Sequence, residues 1–199
     1  MKKFTVSIAL MFCFFVAFSQ DRFEKTPLCN FFQQNFDSTI VMIDDDNIND
    51  FQIIAKFENI VYLFYYRNPY KWTNGYVFPG KLTYKFMDEN SAFRKTVPDT
   101  NRYFMPLRMS SEKRNQFWLR ITKMDQWNLE SDHGARDTCQ KKDLPWNAGS
   151  LTYCLITKNQ VRTVYFDGPW DREEHCPGNK NRHAAIAILE IFKLAFQSL

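Results

Sequence analysis

The chain has 199 residues, of which 45% are hydrophobic, 17% aromatic and 24% charged, and its formal net charge is +4. Basic and acidic residues are mixed along the whole sequence, without the basic stripe typical of nucleic-acid binders, so no nucleic-acid partner is expected. With only 6 glycines and no Walker or Gly-x-Gly-x-x-Gly loop, the chain also lacks the usual phosphate-binding motifs.

The first 19 residues have the pattern of a secretory signal peptide. Two lysines precede an apolar run at residues 4–18, and small residues occupy the first and third positions before a cut after residue 19. The run is shorter than the roughly 20 residues of a membrane-spanning helix. The sequence therefore predicts a signal peptide at 1–19 and a single exported domain at 20–199, secreted or periplasmic, without a stable membrane anchor. The short basic head and the lack of an Asn-x-Ser/Thr sequon favour a bacterial export system.

Four cysteines lie in the predicted domain: Cys29, Cys139, Cys154 and Cys176. An even number of cysteines in an exported chain predicts two disulfides, with three possible pairings. We favour Cys154–Cys176 with Cys29–Cys139, because the first bond would link a predicted hairpin to the loop that follows it. A thiolate zinc site is the alternative, although no Cys-x-x-Cys pair is present.

Residues 23–37 predict a short N-terminal helix that begins near Thr26 and Pro27, because proline suits the first helical turn. Its apolar face would consist of Phe31, Phe32 and Phe36. Seven later segments, rich in β-branched and aromatic residues and separated by turn residues, predict strands. They are residues 38–43, 51–67, 81–87, 101–109, 115–124, 150–156 and 160–168. A β-hairpin is expected about residues 158–160.

The segment at residues 115–124 shows the alternation of a strand, with Phe117, Leu119 and Ile121 on one face. From residue 181 to the end, the apolar spacing becomes helical instead. The apolar positions of this segment are Ile188, Phe192, Ala195 and Leu199.

Charged and polar residues support the C-terminal helix. Glu190 and Lys193 form a favourable pair on the opposite stripe, and Asn179 or Asn181 is a suitable N-cap. Strands followed by a terminal helix, without regular βαβ alternation, indicate an α+β fold. We expect an antiparallel β-sheet of about six to eight strands, with the C-terminal amphipathic helix packed on one face and a short N-terminal helix.

The candidate catalytic residues are His175, His183 and Glu174. The two histidines could form the acid–base pair of a small secreted, nuclease-like hydrolase, because one imidazole removes a proton while the other donates one. Glu174 or Lys141 would assist. The alternative for His183 is a solvated residue in the first turn of the C-terminal helix. His175 with Asp171, Glu173 and Glu174 could bind a divalent ion, but tight spacing such as His-Glu-x-x-His is absent, so no metal site is predicted.

The acidic segment from Asp44 to Asp50 has two interpretations, a calcium site and a polar turn between strands. An EF-hand loop that began at Asp45 would need glycine at its sixth position and glutamate at its twelfth. Asp50 and Lys56 occupy these positions, so the EF-hand is rejected and only an irregular calcium site stays open. The polar turn is favoured.

The best candidate binding surface lies between residues 65 and 81, where turn residues are interspersed with aromatic ones. The candidate binding residues are Tyr70, Trp72, Tyr76 and Phe78. Aromatic side chains on a loop offer a large, stiff contact surface for a protein or a glycan. The alternative is that they pack in a core rich in aromatics.

The usual catalytic motifs are missing, since Ser150 lies outside any Gly-x-Ser-x-Gly elbow. We therefore expect an exported binding protein of unknown ligand, non-enzymatic and without a cofactor, whose partner is a protein or a glycan. The alternatives are the small secreted hydrolase and an immunity- or inhibitor-type protein that neutralises a partner.

Overall fold

A computed structural model describes residues 23–44, 50–70, 80–100, 103–132 and 149–197. Within these ranges the chain forms five α-helices and six β-strands. In chain order they are α1 (Pro27–Asn35), β1 (Ser38–Asp44), β2 (Phe51–Phe57), β3 (Ile60–Tyr66), α2 (Lys81–Arg94), β4 (Phe104–Pro106), α3 (Ser111–Thr122), β5 (Ser150–Thr157), β6 (Val161–Asp167), α4 (Pro169–His175) and α5 (Lys180–Phe196). The predicted signal peptide lies outside the described residues, as do residues 45–49 of the acidic segment.

The strands form one antiparallel sheet in the order β4-β3-β2-β1-β5-β6, which confirms the predicted α+β class. Strand β1 lies inside the sheet, where Ile40 is paired with Ile54 of β2 and Leu155 of β5. The predicted hairpin is confirmed between β5 and β6, where the Thr157 N–H donates to the Gln160 carbonyl over 2.8 Å. Neighbouring strands in the chain are therefore mostly neighbours in the sheet.

The sheet is buried on both faces, because successive side chains of its inner strands point to opposite sides. Ile40 and Tyr153 pack on one face against α3 and α5. Val41 and Cys154, one position further along each strand, pack on the other face against α1. The predicted position of the C-terminal helix on one face is confirmed, and the N-terminal helix covers part of the opposite face.

Helix α5 begins where the sequence predicts, with the Asn179 side chain accepting hydrogen bonds from the backbone N–H groups of Asn181 and Arg182. Its predicted apolar positions Ile188, Phe192 and Ala195 are all buried, whereas Leu199 lies outside the described residues. The predicted Glu190–Lys193 pair is present at 2.8 Å. The buried Tyr153 hydroxyl donates to the Ala185 carbonyl over 2.8 Å and so connects the sheet directly to this helix.

Helix α1 also follows the prediction. The Thr26 side chain accepts a hydrogen bond from the Cys29 N–H, and Pro27 occupies the first turn. Phe32 and Phe36 are buried and Phe31 is partly buried in the aromatic cluster beside β3 and β4.

Two predicted strands are wrong, because residues 81–87 and 115–124 lie in or overlap helices α2 and α3. In α3 the Ser110 hydroxyl caps the first turn, and the buried residues follow the helical period. Phe117 and Ile121 are buried, but Leu119 is exposed, so the apparent alternation does not correspond to one face. Helical capping and packing override the β propensity of these aromatic and β-branched residues.

Two further strand predictions need smaller corrections. The segment at residues 51–67 contains two strands, β2 and β3, and only Phe104–Pro106 of the segment at 101–109 is a strand.

No helix among the described residues is long and apolar enough to cross a membrane.

Phe192 tests the packing of α5 on the sheet, because its side chain is completely buried against Tyr153 and Phe196. We expect Phe192→Ala to lower the free energy of unfolding by about 3–5 kcal/mol, through lost burial and the cavity left behind. The control is Leu194→Ala on the exposed side of the same helix, with an expected change within about 0.5 kcal/mol. Urea denaturation measures both variants, and equal effects would contradict this packing.

Candidate functional site

The predicted histidine site forms a corner between helices α4 and α5. Gly168 has a positive φ of 53° and precedes Pro169, which begins α4, so the chain turns sharply at the end of β6. A second turn contains Gly178, with a φ of 103°, and leads to the Asn179 cap of α5. The two histidines thus lie on consecutive helices, one near the end of α4 and the other in the first turns of α5.

A buried ion pair holds this corner together. The Arg182 side chain is 0% exposed, and its Nε donates to Glu173 Oε2 over 3.0 Å. Its Nη2 also donates to the Cys176 carbonyl over 2.7 Å. The other Glu173 oxygen accepts a hydrogen bond from the Gly178 N–H at 3.2 Å. One carboxylate therefore binds both the buried guanidinium and the turn between the helices.

The pKa of Glu173 reflects this arrangement. Partial burial raises the pKa of the carboxyl, but hydrogen bonds from Arg182 and the Gly178 N–H, with the positive charge of Arg182, bring it below its usual range. The ionised form is therefore favoured in the folded protein.

The three candidate catalytic side chains, His175, His183 and Glu174, are all exposed at this corner. His175 Nδ1 lies 2.7 Å from the Asp171 carbonyl of its own helix. Because a carbonyl only accepts, Nδ1 carries the hydrogen, and Nε2 is then the acceptor nitrogen of the neutral ring. The joint action of the two histidines stays a prediction. The described ranges contain no group of three His, Cys, Asp or Glu residues that could hold a metal ion.

The cysteines differ from the favoured pairing. Cys176 is disulfide-bonded, whereas Cys29 and Cys154 are buried with free thiols. The favoured Cys154–Cys176 bond is therefore not formed, because Cys154 lies inside β5 and its side chain points away from the α5 face of the sheet, towards α1. The partner of Cys176 lies outside the described residues, as does Cys139.

The candidate binding loop is described only at its start. The Tyr70 ring is partly buried and lies edge-on to Phe93, with 6.3 Å between the ring centroids. Its N–H donates to the Asn68 side-chain oxygen over 2.9 Å, and the Asn68 amide donates in turn to Asn90 of α2 over 2.8 Å. Tyr70 therefore belongs partly to the core. Trp72, Tyr76 and Phe78 lie outside the described residues.

Sequence reasoning missed a group of exposed apolar side chains on α2. Leu82, Tyr84 and Met87 occupy its first two turns, and Tyr84 and Met87 are 72% and 60% exposed. Tyr84 precedes the buried Phe93 by nine residues, or two and a half helical turns, so the two side chains lie on opposite sides of the helix. A helical interpretation of residues 81–94 would have revealed this face. Leu82 is eleven residues, or about three turns, before Phe93 and lies on the same side as Phe93. We call Tyr84 and Met87, which are three residues apart and adjacent on the helix, the α2 surface.

The chain matches none of the protein-family models, curated proteins or solved structures with which it was compared.

Glu173→Gln tests the ion pair at the corner. The substitution leaves the buried Arg182 charge without its carboxylate, and we expect it to lower the free energy of unfolding by about 2–4 kcal/mol at neutral pH. The control is Glu174→Gln at the exposed neighbouring position, which should change stability by less than about 0.5 kcal/mol. Denaturant unfolding measures both, and a neutral Glu173→Gln would contradict a structural role for the pair.

The same variant predicts a dependence on pH. Because the pKa of Glu173 is lowered on folding, its stabilising effect is fully present above the carboxyl pKa of the unfolded chain and is lost as the pH falls through the pKa of the folded state. The stability difference between wild type and Glu173→Gln should therefore be constant at neutral pH and shrink in acid. Unfolding curves across this range measure it, and a difference that grows in acid would contradict the assignment.

Proposed function

We propose that the protein is an exported binding protein that contacts a protein partner through the α2 surface. The observation that carries this proposal is the exposure of Tyr84 and Met87 on successive turns of one side of the helix. Large apolar side chains grouped on a surface lose contact with water only when a partner covers them. Tyr84 and Met87 are three residues apart, so they are neighbours on the helix surface and offer a partner one contact patch.

The chemistry of this patch favours a protein over a glycan. Tyr and Met are enriched at protein–protein interfaces, and flexible Met side chains adapt to apolar partner surfaces. Sugars stack mainly on flat rings, and on the described part of this patch only Tyr84 has one.

The aromatic loop identified from the sequence directly precedes this helix in the chain. Trp72, Tyr76 and Phe78 are followed by Gly80, the N-cap of α2. The proposed binding region therefore unites the sequence-based candidate loop with the α2 surface. Tyr70 contributes to it mainly by packing on Phe93 and so supports the start of the loop.

Affinity capture with matched variants tests the binding proposal. The protein, purified after expression of the full chain, is immobilised and exposed to the exported fraction of its source cells. We expect wild type to retain one stoichiometric protein, and the double variant Tyr84→Ala, Met87→Ala to retain at least about tenfold less, as for loss of interface anchors. Native folding of the variant is checked by its near-ultraviolet circular dichroism.

The control variant is Leu119→Ala, which removes an exposed leucine from α3. It should retain the partner as well as wild type does. Equal retention by wild type and the double variant would overturn the α2 surface as the binding site. Binding of immobilised glycans by wild type, with loss of this binding in the double variant, would instead identify a glycan ligand and contradict the protein partner.

The export part of the proposal has its own test. Expression of the full chain in a bacterial host should give a mature protein in the periplasm or medium whose first residue is Gln20, because the cut is expected after Ser19. Intact mass and N-terminal sequencing identify the end of the chain. An uncleaved protein confined to the cytoplasm would contradict export without affecting the binding test.

A further inference from the structure

Cys29 and Cys154 lie against each other in the core, although they are 125 positions apart in the chain. Cys29 belongs to α1 and Cys154 to β5, and both side chains are completely buried in the same cluster. Helix α1 packs directly on strand β5, and the two thiols interact with each other. Two thiols in contact across a helix and a strand are placed to form a covalent bond between these elements.

We propose that Cys29 and Cys154 are a dithiol–disulfide pair, whose oxidation covalently attaches helix α1 to strand β5. The inference extends the proposed export, because exported proteins meet oxidising conditions. It replaces the favoured Cys154–Cys176 and Cys29–Cys139 pairing. It also leaves Cys176 for its separate disulfide.

The two cysteines have different chemical roles. The hydrogen bond from Cys154 lowers the pKa of Cys29, while the same bond and burial raise the pKa of Cys154. Cys29 lies in the first turn of α1, three positions after the Thr26 cap, where the helix dipole also stabilises a thiolate. When α1 separates from the sheet, Cys29 moves into solvent with it, whereas Cys154 stays within β5. Cys29 is therefore the thiol that attacks an external oxidant, and Cys154 is the thiol that completes the bond.

The reaction is a thiol–disulfide exchange with a protein or small-molecule disulfide, such as oxidised glutathione. The Cys29 thiolate attacks one sulfur of the oxidant and forms a mixed disulfide with it, while the other sulfur of the oxidant leaves as a thiol. Cys154 then loses its proton and attacks the Cys29 sulfur, which releases the second oxidant thiol. The two cysteines lose two electrons and two protons in total, and the oxidant gains them.

Burial determines when this exchange takes place. Neither thiol is accessible in the folded protein, so oxidation takes place before α1 has packed on the sheet or when it opens. Once formed, the bond is equally inaccessible to reductants. Two polar residues lie beside this otherwise apolar site. Thr163 forms a hydrogen bond with the Cys154 thiol, and the Thr163 hydroxyl donates a hydrogen bond to Glu24.

Disulfide mapping of the wild-type protein tests the inference without any substitution. Protein purified after expression of the full chain is reduced, reoxidised in a buffer of reduced and oxidised glutathione, alkylated after unfolding and digested without reductant. We expect mass spectrometry to find a peptide pair joined by Cys29 and Cys154. Alkyl label on both residues, or a bond from either to Cys139 or Cys176, would overturn the inference. Because oxidation is done in vitro, failure of export does not affect this result.

Thermal unfolding of the Cys29→Ala, Cys154→Ala double variant gives a second test. A bond that closes so long a loop should raise the unfolding temperature by about 10 °C. Reductant present during unfolding and refolding should therefore lower the unfolding temperature of wild type by about 10 °C more than that of the double variant. The change that remains in the double variant reports the loss of the Cys176 disulfide. Equal effects on the two proteins would show that the thiols only pack together and would overturn the proposal.

Discussion

The fold depends on the burial of both faces of the inner strands β1 and β5. Apolar side chains point alternately up and down from these strands, so a single helical layer would leave half of them in water. Helices α3 and α5 cover one face, and α1 covers part of the other, where Phe93 of α2 also packs. The aromatic richness of the chain follows from this two-sided burial, because rings such as Phe32 and Phe192 fill the two layers on either side of the sheet.

Polar groups complete this arrangement where the layers meet the loops. Arg182 places a buried positive charge in the first turn of α5, and the Glu173 carboxylate of α4 neutralises it. Because Glu173 also accepts a hydrogen bond from Gly178 in the turn, it holds α4, the turn and α5 together. Asn68 and Asn90 play a similar part on the other face, where they connect the end of β3 to α2. Each contact fixes the direction of a helix that borders a candidate site, the histidine corner in one case and the α2 surface in the other.

Much of the fold was predictable from local patterns. Thr26 and Pro27 marked the start of α1, Asn179 capped α5, and Ile188, Phe192 and Ala195 showed which side of α5 is buried. Helices α2 and α3 were missed, because aromatic and β-branched residues favour strands locally while capping and core contacts decide the outcome. Phe117, Leu119 and Ile121 are spaced two residues apart, as on one face of a strand, but Phe117 and Ile121 are also four residues apart, as on one face of a helix. The burial of Phe117 and Ile121 and the exposure of Leu119 distinguish the helix from the strand.

The candidate sites were less predictable, because they depend on contacts between distant residues. The sequence indicated the histidine corner but gave no sign that Glu173, rather than Glu174, is the structural carboxylate. The partnership of Cys29 with Cys154 follows only from the packing of α1 on β5, which no local pattern encodes. The α2 surface was hidden by the strand prediction for the same residues.

Hydroxyl-radical footprinting of the purified protein tests most directly how its apolar side chains divide between the two-sided core and the α2 surface. It compares residues of equal chemistry: Tyr84, 72% exposed, with Tyr153, 0% exposed, and Met87, 60% exposed, with Met42, 5% exposed. Strong modification of Tyr84 and Met87, with protection of Tyr153 and Met42, is the predicted result. Protection of Tyr84 and Met87 to the same degree as their buried counterparts would contradict the account.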